Sequence, residues 1–121
     1  MVIRGTISAA REPVVVLQTL PTKCKLSVIV DTGFTGELCL PPRVMKDLAF
    51  ERLWRESFVL ADGRIVRTDV YKGQIQWFDR IRSVEVVALE NPRGLAGTAL
   101  LQDCRLTVGF RRRRVVIAKE R

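Results

Sequence analysis

Histidine is absent from this chain of 121 residues, and its absence removes whole classes of chemistry. Ser-His-Asp and Cys-His catalysis need an imidazole base, and His-ligated metal sites need an imidazole donor. Cysteine is scarce. Cys24, Cys39 and Cys104 are odd in number, far apart and form no C-x-x-C pair, which argues against a zinc ribbon or a disulfide framework. All three are expected as small apolar core residues. Long apolar runs are missing as well. None approaches the ~20 residues of a membrane-spanning helix, and Met1-Val2-Ile3-Arg4-Gly5 lacks a signal-peptide core. The expectation is a soluble, cytoplasmic protein with no membrane partner and no cofactor. Carboxylates, hydroxyls, lysines and backbone amides are what is left for hydrolytic chemistry.

What the chain does have is apolar residues at 47%, enough for one core, and a length that fits a single domain spanning residues 1–121. The net charge is +8. Such a charge attracts acidic peptides, nucleic acid or anionic surfaces without fixing a fold.

Short β-type runs separated by turn residues dominate. Val14–Leu17 is closed by Pro21; Leu26–Val30 is rich in β-branched residues and stops at Asp31-Thr32-Gly33; Leu38–Leu40 is stopped by Pro41-Pro42. From Pro42 to about Phe50 the apolar spacing turns helical, with proline at the start. Ser57–Leu60 then runs into Ala61-Asp62-Gly63-Arg64, an Asp-Gly hairpin signal. Val70-Tyr71, Gln74–Trp77 and Val84–Leu89 supply further strands. Leu95–Leu101 holds a glycine and then a stretch suited to a short helix. Leu106–Phe110 and Val115–Ala118 flank Arg111–Arg114 as a terminal hairpin with a basic turn. The fold class is all-β: a small closed barrel or sandwich with one or two short helices.

The segment Val28-Ile29-Val30-Asp31-Thr32-Gly33-Phe34-Thr35-Gly36 carries the chemistry. A carboxylate at the end of an apolar strand is costly unless hydrogen-bonded or paired. Gly33 allows a sharp turn with amides near the carboxylate, Thr32 offers a hydroxyl to a neighbouring loop, and Gly36 permits a second bend. A strand-end Asx turn explains the triplet equally well when it is taken alone.

This segment resembles the active-site loop of the retropepsin-like (clan AA) aspartic proteases, particularly their small prokaryotic relatives. Leu95-Ala96-Gly97-Thr98-Ala99-Leu100-Leu101 is similar to that family's downstream apolar-apolar-Gly element. The Leu60–Arg64 hairpin stands where the family has a flap, and Leu106–Phe110 where it has a terminal strand at the dimer interface. The resemblance spans roughly Pro13 to Phe110. It implies a closed acid-protease barrel, Asp31, Thr32 and Gly33 as catalytic loop, and Phe34, Thr35, Gly36, Ala61, Asp62, Gly63 and Arg64 as substrate-binding positions. Departures are clear. Thr35 and Thr98 stand where retroviral enzymes carry an acid and an arginine, Ala96 replaces a bulkier aliphatic residue, and the flap tip is not glycine-rich.

The resemblance also implies two carboxylates sharing one proton. One D-T-G occurs here, and Asp47, Asp62, Asp69, Asp79 and Asp103 lack its context. The second carboxylate is therefore expected from a second copy, in a homodimer that cleaves a polypeptide. An alternative is a non-catalytic module of the same fold whose basic surface binds nucleic acid or an acidic partner. Arg111–Arg114 reads more simply as a solvated turn than as a nucleic-acid patch, with no RNP-type motif beside it. Trp54 and Trp77 are expected as core or interface aromatics, and Tyr71 as a cross-strand packing residue.

Overall fold

In the computed structural model, residues 1–90 and 93–120 are described. They form ten strands and one short helix: β1 (Val2–Ile7), β2 (Pro13–Leu20), β3 (Lys25–Val30), β4 (Leu38–Leu40), α1 (Pro42–Met45), β5 (Glu51–Val59), β6 (Ile65–Trp77), β7 (Arg80–Ala88), β8 (Gly94–Ala96), β9 (Cys104–Gly109) and β10 (Arg114–Lys119). The strands pair in the order β5-β6-β7-β4-β8-β3-β2-β1-β10-β9, and β2 also pairs with β6. That extra pairing, with Thr19 opposite Ile75, closes β2, β3, β8, β4, β7 and β6 into a six-stranded barrel. The all-β reading holds.

Alternation explains the barrel wall. Val15, Leu17 and Thr19 of β2 point inward, as do Val28 and Val30 of β3, because successive strand residues face opposite sides. They meet Leu38, Leu40, Ile75, Val86, Leu100 and Ile117, each at most 1% exposed. Removing one such aliphatic side chain from water is worth about 1.5–3 kcal/mol. Thr19 is the buried polar exception. Its hydroxyl donates to the Thr22 carbonyl at 2.6 Å and accepts from the Cys24 N–H at 3.1 Å, so burial leaves it satisfied. All three residues of β4 are buried, since it lies between β7 and β8.

Two expected helices are reduced. α1 ends at Met45, and the chain continues in tighter turns: the Asp47 and Leu48 N–H groups donate three residues back, to Val44 and Met45. Ala49 then takes a positive φ of 55° and ends the run. At 98–103 the chain makes successive turns, with Leu100 N–H donating to Gly97 and Leu101 N–H to Thr98. Arg82 takes the Ala99 and Leu100 carbonyls, acceptors that a continuing helix would have used.

The β5–β6 hairpin is an arm. β6 residues 65–69 pair with β5 alone, whereas 70–72 pair with both β5 and β7 and 73–77 with β7 in the barrel. Nearly every residue of β5 is therefore exposed, including Trp54 at 43%, which is not a core residue. Trp77 is buried, and Tyr71 packs partly buried against the core. Cys39 is buried, with Cys24 and Cys104 half-buried beside the core. Phe110 to Arg113 form the turn between β9 and β10, with its arginines in solvent as expected.

Candidate active site

Asp31 is the residue directly after β3. Parallel pairing of β3 with β8 sets Val30 beside Ala96, and the Asp31 N–H extends that ladder by donating to the Ala96 carbonyl at 2.9 Å. The chain then turns on itself. The Gly33 N–H donates to Asp31 Oδ1 at 2.8 Å, and the Phe34 N–H donates to the Asp31 carbonyl at 3.1 Å. The carboxylate is half-buried, held from below by an amide and open above.

A second segment locks this loop. The N–H groups of Gly97, Thr98 and Ala99 donate to the carbonyls of Glu37, Phe34 and Gly36 at 3.0, 2.8 and 3.2 Å. Such a close backbone approach requires glycine at 97. A Cβ there would stand 2.2 Å from the Gly36 carbonyl oxygen and 2.6 Å from that of Phe34. The Phe34 ring lies over Gly36, where a Cβ would come within 2.6 Å of it. Gly36 thus makes room for an aromatic ring; neither it nor Gly33 adopts a positive φ.

Thr35 and Thr98, which replace a charged pair, do not bond each other; the Thr98 hydroxyl donates to the Phe34 carbonyl at 3.4 Å. An ion pair stands nearby instead. Arg82 Nη2 lies 2.8 Å from Glu37 Oε2, and the Glu85 N–H donates to Glu37 Oε1 at 2.9 Å. Sequence reasoning missed this pair, whose members are 45 residues apart and occur in no motif.

Two clefts adjoin the loop, and a third lies beside them. One of about 670 Å³ has Asp31 and Thr32 on one wall, with Leu95, Leu106, Val108 and Phe110 opposite. Another, of about 500 Å³, brings Phe34, Thr35 and Gly36 against Glu56 and Phe58 of the arm. A third, of about 470 Å³, lies beneath the arm between Leu60, Arg64, Val66 and Leu95. Leu95 is common to the first and third. Of the expected hairpin positions, Arg64 lines the third of these clefts, and Ala61, Asp62 and Gly63 line none of the three. Glu56, Phe58 and Leu95 went unpredicted as lining residues, although Glu56 and Phe58 alternate on β5 and so share a face.

The tip is ordered locally. The Leu60 N–H donates to the Arg64 carbonyl at 2.8 Å, the Gly63 N–H to the Leu60 carbonyl at 2.9 Å, and Gly63 takes φ +85°, which glycine accepts without strain. The Arg64 N–H and its guanidinium both bond Asp62 and hold its carboxyl below the ordinary 3.8. Cys39 differs: burial pushes its thiol up, against a smaller lowering by the Leu89 backbone. Burial also raises the Cys104 thiol, ahead of a lowering by Lys119. Neither is activated as a nucleophile. Among the described residues, no group of three or more Cys, Asp or Glu side chains could hold a metal ion, and no helix is long and apolar enough to cross a membrane.

No protein-family model matches the chain, and no curated protein sequence matches it significantly. Solved structures do match. A retropepsin-like aspartic protease from Rickettsia conorii superposes with a TM-score of 0.74 at 13% identity, over 97% of this chain and 89% of that one. EIAV protease in complex with the inhibitor HBY-793 gives 0.63 at 20% identity, over 81% of this chain and 92% of that one. The chain has a retropepsin-like fold.

Proposed function

We propose that this retropepsin-fold chain is one half of an aspartic endopeptidase, with a single active site formed where Asp31 of two copies meets. The observation that carries the reading is the Asp31 loop: a carboxylate at a strand end, accepting from the Gly33 amide, backed by three inter-segment backbone hydrogen bonds and open to a cleft. A plain Asx turn needs neither the second segment nor the cleft.

One D-T-G per chain means that one copy supplies one carboxylate. A two-fold axis through the loop supplies the other. Thr32 is exposed beside Asp31, and among the described residues its hydroxyl has no bond within its own chain, which leaves it for the partner loop. Leu106, Val108 and Phe110 give the same cleft an apolar wall. Phe110 is 61% exposed, a large apolar surface for a second copy or a substrate to cover.

The chemistry follows from the pairing. Two carboxylates at hydrogen-bonding distance share one proton, because like charges so close cannot both ionise. The ionised one takes a proton from a bridging water as its oxygen attacks the scissile carbonyl carbon, and the protonated one donates to the carbonyl oxygen. Collapse of the tetrahedral diol breaks the C–N bond; a carboxyl proton goes to the departing amine, and a diol hydroxyl returns a proton to the carboxylate pair as the new carboxyl group forms. An extended polypeptide, bound as a strand between the cleft and the β5–β6 arms, suits this geometry.

The test is binding of a statine-type peptide, whose hydroxyl imitates the diol. It is expected to raise the melting temperature of the wild-type chain and not that of Asp31→Asn, with both remaining dimeric. Equal stabilisation of both would sink the reading. No stabilisation, combined with steep salt dependence of binding to nucleic acid, would favour the non-catalytic module.

A further inference from the structure

We propose that Glu37 and Arg82 form a clamp that positions the Asp31 loop, standing in for the charged pair that Thr35 and Thr98 do not provide; its relevance to catalysis rests on the reading of Asp31 above. The Arg82 guanidinium, on β7, binds three acceptors. Nη2 donates to Glu37 Oε2 at 2.8 Å and to the Ala99 carbonyl at 3.4 Å, and Nη1 donates to the Leu100 carbonyl at 3.2 Å. Glu37 is bound twice more. Its second carboxylate oxygen accepts from the Glu85 N–H at 2.9 Å, and its own carbonyl accepts from Gly97 at 3.0 Å.

The consequence is a closed circuit. Residues 34–37 and 97–99 are already joined by backbone hydrogen bonds, and Arg82 fastens the far end of both to the barrel wall. Asp31 is held by the first of these segments through Phe34, and by Ala96, the residue directly before the second. A planar fork that meets a carboxylate and two carbonyls at once is a task for arginine, since a lysine ammonium is a point charge on a flexible stem. The pair is also shielded: the side chains are 34% and 22% exposed, against 72% and 53% for Arg105 and Glu120. Shielding strengthens the attraction and makes removal of one partner costly.

The clamp is tested on the full chain by residue-resolved amide hydrogen exchange in wild type, Glu37→Gln, Arg82→Lys and Arg82→Ala. Exchange at Phe34, Gly97, Thr98 and Ala99 should rise tenfold or more in Arg82→Ala and Glu37→Gln. Arg82→Lys should fall between Ala and wild type, and Val28 and Ile117 in the core should move less than threefold. A uniform rise at all six amides would reduce the pair to general stability and overturn the clamp, as would no rise at the four. Statine-peptide affinity supplies the functional arm: the variants should bind at least tenfold more weakly than wild type. Loosened amides with unchanged affinity would overturn the positioning role. A wild-type chain that ignores the peptide would remove the Asp31 reading instead, while exchange still decides the clamp.

Discussion

Gly97 lies against Phe34 so closely that a methyl group on it would stand 2.6 Å from both the Phe34 carbonyl oxygen and its ring. Two segments 63 positions apart in the chain thus cross with no room for a side chain on Gly97. Gly97→Ala should force the segments apart, and overpacking of this kind costs roughly 3 kcal/mol. Denaturant unfolding checks the size of the effect. A loss below about 0.5 kcal/mol, the range of ordinary surface substitutions, would contradict the crossing.

Cys39 should be the inert thiol. It is 2% exposed and burial raises its pKa, so both access and thiolate fraction are low. Mass spectrometry after iodoacetamide treatment of the folded chain should find Cys39 unmodified, and unfolding should expose it. Alkylation of Cys39 as fast as Cys24 in native protein would show that β4 opens.

The Asp62 carboxyl carries a pH prediction for the arm. Its folded pKa lies below the ordinary 3.8, through the Arg64 amide first and the Arg64 guanidinium second. The stabilisation of the charged form is present above that ordinary value and is lost as pH falls through the folded pKa. The Arg64 amide proton, followed by NMR, should therefore titrate with a midpoint below 3.8. A midpoint at or above it would mean that the turn is not held by this carboxylate. The group is exposed, so global stability should barely respond.

Much of this was legible in the residues because the signals were local. Leu26–Val30 ending at Asp31 reads as a strand from its β-branched residues. Asp62-Gly63 reads as a tight turn because glycine tolerates the positive φ found there, and the arginine turn before β10 follows from the apolar runs on either side. The features that escaped depend on partners distant in sequence. β1 was missed because its polar positions face solvent and its place is set by pairing with β10. The short helix foreseen after Gly97 gave way to turns because Arg82, from another strand, takes the carbonyls it needed. Glu37 and Arg82 have no local pattern at all, since nothing in a sequence marks two charges that meet only after the barrel closes. For the same reason Glu56, Phe58 and Leu95 emerged as cleft residues only once the arm and β8 were in position.

The central claim is that each chain carries half of an active site. It is tested most directly by a crystal structure of the chain with a statine-type peptide bound. The account predicts a two-fold dimer in which both Asp31 carboxylates lie within about 3 Å of the statine hydroxyl, with β5–β6 arms closed over the peptide. A monomer, or a dimer whose two Asp31 carboxylates stand too far apart to share that hydroxyl, would contradict it.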